Sequence, residues 1–262
     1  MSTTREYLKA SIDPSYVCLE IGPYHSPILD HNKKNNFSID VFTRKSLIEK
    51  ANSDPNLKRY NISISNIPET NYLLSKDQDY DIEKCVDRKF DIIISSHNLE
   101  HLPNLIKELN KYEKILKDNG KIFAFIPDCN FEFDYLRNKS RLADIIDDYY
   151  MDRKMPSFKS ILDFQLYYEP EASTFDLWKH YLNEGIHDER ISESDIKSKK
   201  DIDYLFEKSK LDYIDTHSYT FTSFSFEKYI KWLNKFKFIN LHIEKIEHTQ
   251  LNSQEFFVIL AK

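Results

Sequence analysis

The chain has 262 residues, 40% of them hydrophobic and 14% aromatic, with a formal net charge of −6. That apolar content is enough for a sizeable core and excludes a disordered chain, and the negative balance argues against a nucleic-acid backbone as the main partner, which would favour a clustered basic face. No apolar run approaches the roughly 20 residues that span a bilayer, and residues 1–8 lack the apolar segment of a secretory signal, so a cytoplasmic location without a membrane span is expected.

Cys18, Cys85 and Cys129 are far apart and without CxxC spacing, which suggests neither a disulfide framework nor a zinc site. The length suits one large α/β domain with an insertion, or two small domains. Only three glycines are present, Gly22, Gly120 and Gly185, so each is expected where no other residue fits.

A short helix is predicted over residues 1–14, ended near Asp13-Pro14. Tyr16–Ile21 reads as a buried strand that ends in an acid, Glu20, and enters the turn-forming loop Gly22-Pro23-Tyr24-His25-Ser26-Pro27. In an open α/β sheet such a loop, at the carboxyl end of a central strand, is where nucleotides bind. Phe37–Val41 reads as a second strand carrying Asp40, at the distance from Glu20 expected of a carboxylate that accepts from ribose hydroxyls. A plain turn-making aspartate is the alternative there. Residues 43–68 read as a helix and a connection, Asn71–Leu74 as a third strand with Ser75 and Asp77 just past it, and Ile82–Val86 as a short helix.

The β-branched run Phe90–Ser96 predicts a strand buried on both faces, followed by His97-Asn98-Leu99-Glu100-His101 and an amphipathic helix over Leu105–Leu116 stopped by Gly120. Lys121–Asp128 is the next buried strand. Residues 129–212, helix-prone and rich in aromatic and charged residues, are too long for a loop and read as a helical insertion, with the charge-dense run Asp188–Lys200 as a solvated segment. Strand-like alternation resumes over Tyr213–Thr222, a helix follows over Ser225–Phe236, and Ile239–Glu247 with Glu255–Ala261 read as an antiparallel pair at a sheet edge.

Taken together, these segments resemble the class I S-adenosylmethionine-dependent methyltransferases. Glu20-Ile21-Gly22-Pro23 is similar to the family's first motif and Asp40 to its acid after strand two. Ser96-His97-Asn98-Leu99-Glu100-His101 resembles the "LEH" signature after strand four, in members that act on small molecules and carbohydrates, and His217–Thr222 resembles their "H-x-x-x-F-T" segment. The resemblance covers about residues 15–128 and 213–262. Tyr24 and Ser26 depart from it, standing where later glycines of the first motif would be.

The resemblance implies a Rossmann-like α/β fold: a mostly parallel seven-stranded sheet with an antiparallel last strand and a helical insertion after strand five. Residues 1–128 and 213–262 would form the cofactor-binding core, and 129–212 an acceptor-binding lid. The implied cofactor is S-adenosylmethionine, held around Glu20, Ile21, Gly22, Pro23, Asp40, Ser96 and His97, with Ser75 or Asp77 near the adenine. The implied reaction is methyl transfer, to an oxygen by preference, on a sugar, nucleotide-sugar or phosphate-type acceptor of a surface polysaccharide pathway (capsule or lipopolysaccharide). A homodimer is compatible with the sequence.

A hydroxyl acceptor needs a positioned base, for which His217 and Asp128 are the first candidates and His97 the next. His217 is equally readable as a histidine fixing the strand-to-helix turn. His97 and His101, four apart, suit one helix face and a shared metal, but with no evident third ligand and no H-E-x-x-H pattern the expectation is no metal, and Glu100 is expected to cap or brace the helix. Arg137, Lys139 and Arg141 are candidates for a phosphate or for a solvated helix face. The aromatic side chains of the insertion are read mainly as core and secondarily as sugar-stacking surfaces. Two other classes fit parts of the pattern. One is a catalytically silent methyltransferase-like binding subunit. The other is a nicotinamide-dependent oxidoreductase, which would want the missing glycines and leaves Asn98–His101 unexplained.

Overall fold

The structure is a computed structural model that describes residues 4–54, 57, 63–184 and 196–262. Gly185 and most of the run Asp188–Lys200 lie outside the described residues. The order is α1 (Thr4–Ser11), β1 (Cys18–Ile21), β2 (Asn36–Asp40), α2 (Arg44–Ser53), β3 (Tyr72–Leu73), α3 (Ile82–Cys85), β4 (Phe90–Ser96), α4 (Leu105–Ile115) and β5 (Leu116–Pro127). It continues with α5 (Leu142–Tyr150), α6 (Phe158–Tyr167), α7 (Thr174–Glu184), α8 (Lys199–Leu211), α9 (Ser223–Lys235), β6 (His242–Glu247) and β7 (Glu255–Ala261).

The strands form one seven-stranded sheet in the order β3-β2-β1-β4-β5-β7-β6. β1 pairs in parallel with β2 and with β4, and β2 with β3. The amide of Asp128 donates to Gln254 O and that of Lys262 to Gly120 O, so β7 descends as β5 ascends and the two are antiparallel. This is the expected mostly parallel sheet with an antiparallel last strand. By contacts the chain forms two compact units. The first comprises Met1–Ser96, Lys111–Ala124 and Ile259–Lys262; the second comprises His97–Asn110 and Phe125–Val258.

Within the first unit, all four residues of β1 are buried, as are Ile92, Ile93, Ile94 and Ser95 of β4, as the continuous β-branched run of a strand covered on both faces requires. Thr43 caps α2 by accepting from the Ser46 amide, and Leu47 and Ala51 of that helix bury against Leu57 and Ile67. Gly120 departs from its expected part as a helix stop. α4 runs straight into β5, and Gly120 sits inside that strand, where a Cβ would come within 2.9 Å of the Leu116 side chain.

Within the second unit, Asn104 caps α4 by accepting from the Lys107 amide. Thr222 and Ser225 form a reciprocal capping box at the start of α9, whose Phe226, Ile230 and Leu233 share a buried face. The insertion is helical, as expected: its described residues carry α5 to α8. Phe131 stacks on Trp178 at 3.7 Å between ring centroids and is buried with it, in agreement with the core reading of those aromatics. Residues 213–222 are not a strand. Their backbone bonds go instead to scattered partners: Tyr219 N to Glu100 O, Ser140 N to Thr220 O and Cys129 N to Phe221 O.

Candidate functional site

Strand register gathers one set of candidate residues, entirely within the first unit. Ile21 lies opposite Ile39 on one side and Ser95 on the other, so Gly22, Asp40 and Ser96, each one residue further, come side by side at the carboxyl edge. Asp40 lies opposite Leu73, which brings Ser75 two residues past the end of β3 to the same edge. Gly22 has φ +57°, and among the described residues a Cβ there would meet nothing within 4 Å, which leaves open space at this turn. Its amide donates to Ile39 O, which fixes the turn against β2.

Tyr24, in the place of a later glycine, adopts φ +36°, a conformation that costs a tyrosine strain. Its ring packs against the Leu47–Ile67 cluster, and that burial offsets the strain. The loop therefore reaches a glycine-like shape without the glycine. Glu20 is 1% exposed; its carboxylate accepts from the amides of Ile28 at 2.7 Å and Leu29 at 2.9 Å and pairs with His31 Nε2 at 2.9 Å. Its observed work is to brace the loop from beneath.

Asp40 accepts from the Phe42 amide at 2.9 Å, and burial pushes its carboxyl up from the usual carboxylate range. Ser75 opens a single 3₁₀ turn over Lys76–Gln78, with Asp77 exposed on it. Arg5 of α1 donates to Ser96 Oγ at 2.8 Å. For Gly22→Ala, keeping φ +57° costs about 1–2 kcal/mol of stability, with no steric clash to add to it. Thermal unfolding is expected to report a loss of that size, and a loss above about 3 kcal/mol would show that the space over Gly22 is filled.

The second unit gathers a different set of side chains. His97, Glu100 and His101 sit in an irregular segment, not on a helix face, and His97 has φ +47°. Glu100 is 1% exposed and caps nothing: among the described residues neither of its oxygens has a hydrogen-bond partner. Three imidazole nitrogens surround its Oε1, His101 Nε2 at 3.7 Å, His217 Nε2 at 3.9 Å and His97 Nδ1 at 4.0 Å. The opposite nitrogen of each ring is held by a carboxylate: His101 Nδ1 by Asp215 at 2.9 Å, His217 Nδ1 by Asp134 at 2.5 Å, His97 Nε2 by Glu255 at 2.8 Å.

Burial would lower the pKa of His101, but its bond to Asp215 and the nearby Glu100 outweigh it and raise the value. Burial also pushes the Glu132 carboxyl well up from the ordinary carboxylate range, and the neighbouring Asp134 charge adds to it. Arg137 is not free for a phosphate. Its guanidinium is buried and donates to Asp134 at 3.0 Å, Asp163 at 2.7 Å and the His217 carbonyl at 3.0 Å. Asp128, the other base candidate, is 3% exposed and caged: it accepts from Thr249 Oγ1 at 2.6 Å and from the Asn130 amide at 3.1 Å. Burial raises its carboxyl pKa.

The structure thus places Gly22, Asp40, Ser75 and Ser96 along one strand edge, with Glu20 beneath the loop, and brings His97 and His217 to Glu100. Glu132 and Asp134 escaped sequence reasoning. Their one local signal is the alternation of acids with aromatics in Phe131-Glu132-Phe133-Asp134-Tyr135, which is unusual in a buried stretch.

A family model described as a methyltransferase domain matches residues 2–198. The chain belongs to this family of methyltransferase domains. Among solved structures it is similar to a S-adenosylmethionine-dependent methyltransferase from Clostridium acetobutylicum ATCC 824, at 11% identity over 97% of this chain and 94% of that one, with a TM-score of 0.42. It is also similar to a SAM-dependent methyltransferase from Methanosarcina mazei, at 12% identity over 98% and 96% of the two chains (TM-score 0.37), and to the CurJ carbon methyltransferase, at 12% identity over 96% and 50% (TM-score 0.40). The chain spans about a third to just over half the length of four of the structures it matches. No curated protein matches its sequence. Among the described residues no helix is long and apolar enough to cross a membrane.

Proposed function

We propose that this protein is an S-adenosylmethionine-dependent methyltransferase that methylates an oxygen of a small carbohydrate-related or phosphate-type acceptor. The observation that carries the reading is the alignment of Gly22, Asp40 and Ser96 at one carboxyl strand edge, under open space, in a chain of the methyltransferase domain family. In this reading Asp40 meets the ribose hydroxyls, Ser75 or Asp77 lies near the adenine, and Glu20, Gly22 and Ser96 surround the rest of the cofactor. When bound, S-adenosylmethionine supplies an electrophilic methyl carbon on a sulfonium.

Oxygen rather than nitrogen or carbon is favoured by the second unit. An alcohol is a poor nucleophile at neutral pH and needs a base, and His217 is an imidazole oriented for that work. Asp134 holds its Nδ1–H, which leaves the Nε2 lone pair to receive a proton. With the methyl group supplied by S-adenosylmethionine, whose sulfur would keep the electron pair of the broken C–S bond, the acceptor hydroxyl would give its proton to His217 Nε2 as its oxygen took the methyl. The insertion contributes Glu132 and Asp134 to the acceptor side. A place in surface polysaccharide synthesis rests on the resemblance of the His97–His101 and His217–Thr222 segments to carbohydrate-acting members. The glycine-like φ of Tyr24 counts against a silent binding subunit, because the loop keeps its shape.

The test is transfer of a labelled methyl group from S-adenosylmethionine to a panel of sugars, nucleotide-sugars and phosphorylated sugars, by wild type and His217→Gln. Turnover in the variant is expected to fall by about 10²–10⁴, with S-adenosylhomocysteine still bound. Turnover near wild type with the donor bound would remove His217 from the chemistry.

A further inference from the structure

We propose that Glu100, His101 and His217 form a binding site for a divalent first-row cation of the zinc or manganese class, with His97 and Glu132 at its margin. The inference deepens the methyltransferase reading and rests on it for the identity of the acceptor, but not for the site itself.

The donor atoms are already gathered. One donor atom from each of Glu100, His101 and His217 lies within 4.8 Å of the others, with Glu100 and His217 buried and His101 half-buried, all in a single unit. Donors around one such ion, at about 2.0–2.2 Å each, stand roughly 3–4 Å apart. The 3.7 and 3.9 Å separations of the two imidazoles from Glu100 Oε1 fall in that range and outside hydrogen-bond reach.

Second, Glu100 is a carboxylate 1% exposed with no hydrogen-bond partner among the described residues. Such a group is costly in a protein interior unless a cation or a donor meets it. Third, both ligand histidines carry the outer arrangement that metal-binding histidines show. Each gives its Nδ1 to an aspartate, His101 to Asp215 and His217 to Asp134, which fixes the tautomer with the Nε2 lone pair turned towards Glu100. His97 repeats the pattern with its nitrogens exchanged, Nε2 on Glu255 and Nδ1 facing Glu100 at 4.0 Å.

Two imidazoles and one carboxylate suit a borderline transition ion better than calcium or magnesium, which prefer oxygen ligands. Three protein ligands leave coordination positions open, as in catalytic rather than structural sites. An acceptor hydroxyl in one of those positions would be acidified by the cation and its proton released to solvent; with the ion bound His217 Nε2 is a ligand, so the base role proposed above applies only to the ion-free protein, and the ion takes that role over. Sequence spacing offered only His97 and His101. The third ligand lies 116 residues beyond His101, and only the fold brings it near.

The test titrates chelator-stripped protein with zinc chloride and with manganese chloride by calorimetry, beside S-adenosylhomocysteine titrations of the same samples. Wild type is expected to bind one ion per chain. Glu100→Gln, which preserves shape, and His101→Gln are expected to weaken that binding by about 10–100-fold, taking the loss known for outer-sphere partners as a floor. Both variants should still bind S-adenosylhomocysteine, and cobalt added to wild type should give visible bands that Glu100→Gln alters. If folded, stripped wild type takes up neither ion, or if Glu100→Gln binds as tightly as wild type, the site is refuted. Ion binding that responds to both substitutions in a protein that ignores S-adenosylhomocysteine upholds the site and removes the methyltransferase reading instead.

Discussion

Arg137→Ala is expected to destabilise the protein by about 3–5 kcal/mol, the cost of removing one partner from a buried ion pair and leaving the other charge uncompensated. The guanidinium holds three acceptors together: Asp134, Asp163 and the carbonyl of His217. Its side chain and that of Asp134 are 3% and 1% exposed, so solvent screens neither. Chemical denaturation of wild type and variant checks the value. Arg137→Lys should recover only part of it, because a single ammonium cannot reach three divergent acceptors as a planar fork does.

The same cluster sets an acid dependence. Burial would raise the Asp134 carboxyl, but its bonds to His217 and Arg137 outweigh burial and hold it at about 2, below the ordinary 3.8. A carboxylate depressed in the folded state contributes stability that is complete above the unfolded value and is lost as pH falls through the folded one. Wild-type stability should therefore decline between about pH 4 and 2, and in Arg137→Ala that decline should be shallower. An unchanged acid limb in the variant would show that Arg137 does not hold Asp134 ionised.

Glu20→Ala is expected to cost about 2–6 kcal/mol, because it leaves the buried amides of Ile28 and Leu29 without an acceptor at roughly 1–3 kcal/mol each. Glu20→Gln keeps the shape and one acceptor oxygen, so about half of that loss should return. Hydrogen exchange at the Ile28 and Leu29 amides gives the local readout. Fast exchange in the alanine variant and partial protection in the glutamine variant are predicted. Wild-type protection in both would mean that the loop is held by something else.

The fold was legible where local pattern and tertiary demand coincide. Phe90–Ser96 is apolar and β-branched because both faces of β4 are covered, and the structure gives the strand those same bounds. Phe226, Ile230 and Leu233 recur at helical spacing because α9 buries that one face. Pattern misled where backbone partners are not local. The alternation of Tyr213–Thr222 suggests a strand, yet its amides and carbonyls pair with Glu100, Cys129 and Ser140 in place of a ladder. Gly120 looked like a helix stop, and what excludes a side chain there is the Leu116 side chain four residues earlier.

The candidate site divides in the same way. Gly22, Asp40 and Ser96 were readable because each stands at a strand end, and parallel register places strand ends together. Glu100 was misread as a helix brace, because its neighbours His101 and His217 meet it through chain segments 117 residues apart. Arg137 looked like a surface cation in a basic cluster, and only tertiary structure supplies the three acceptors that bury it.

The most direct test of the central claim is calorimetric titration of the purified protein with S-adenosylhomocysteine, repeated on Asp40→Ala. Wild type is expected to bind one equivalent, and the variant, which lacks the carboxylate at the ribose position, to bind at least ~10-fold more weakly, a difference of about 1.4 kcal/mol. No binding by a wild-type protein that melts cooperatively would contradict the methyltransferase reading. Equal binding by the two proteins would contradict the placement of the cofactor at the β1–β2 edge.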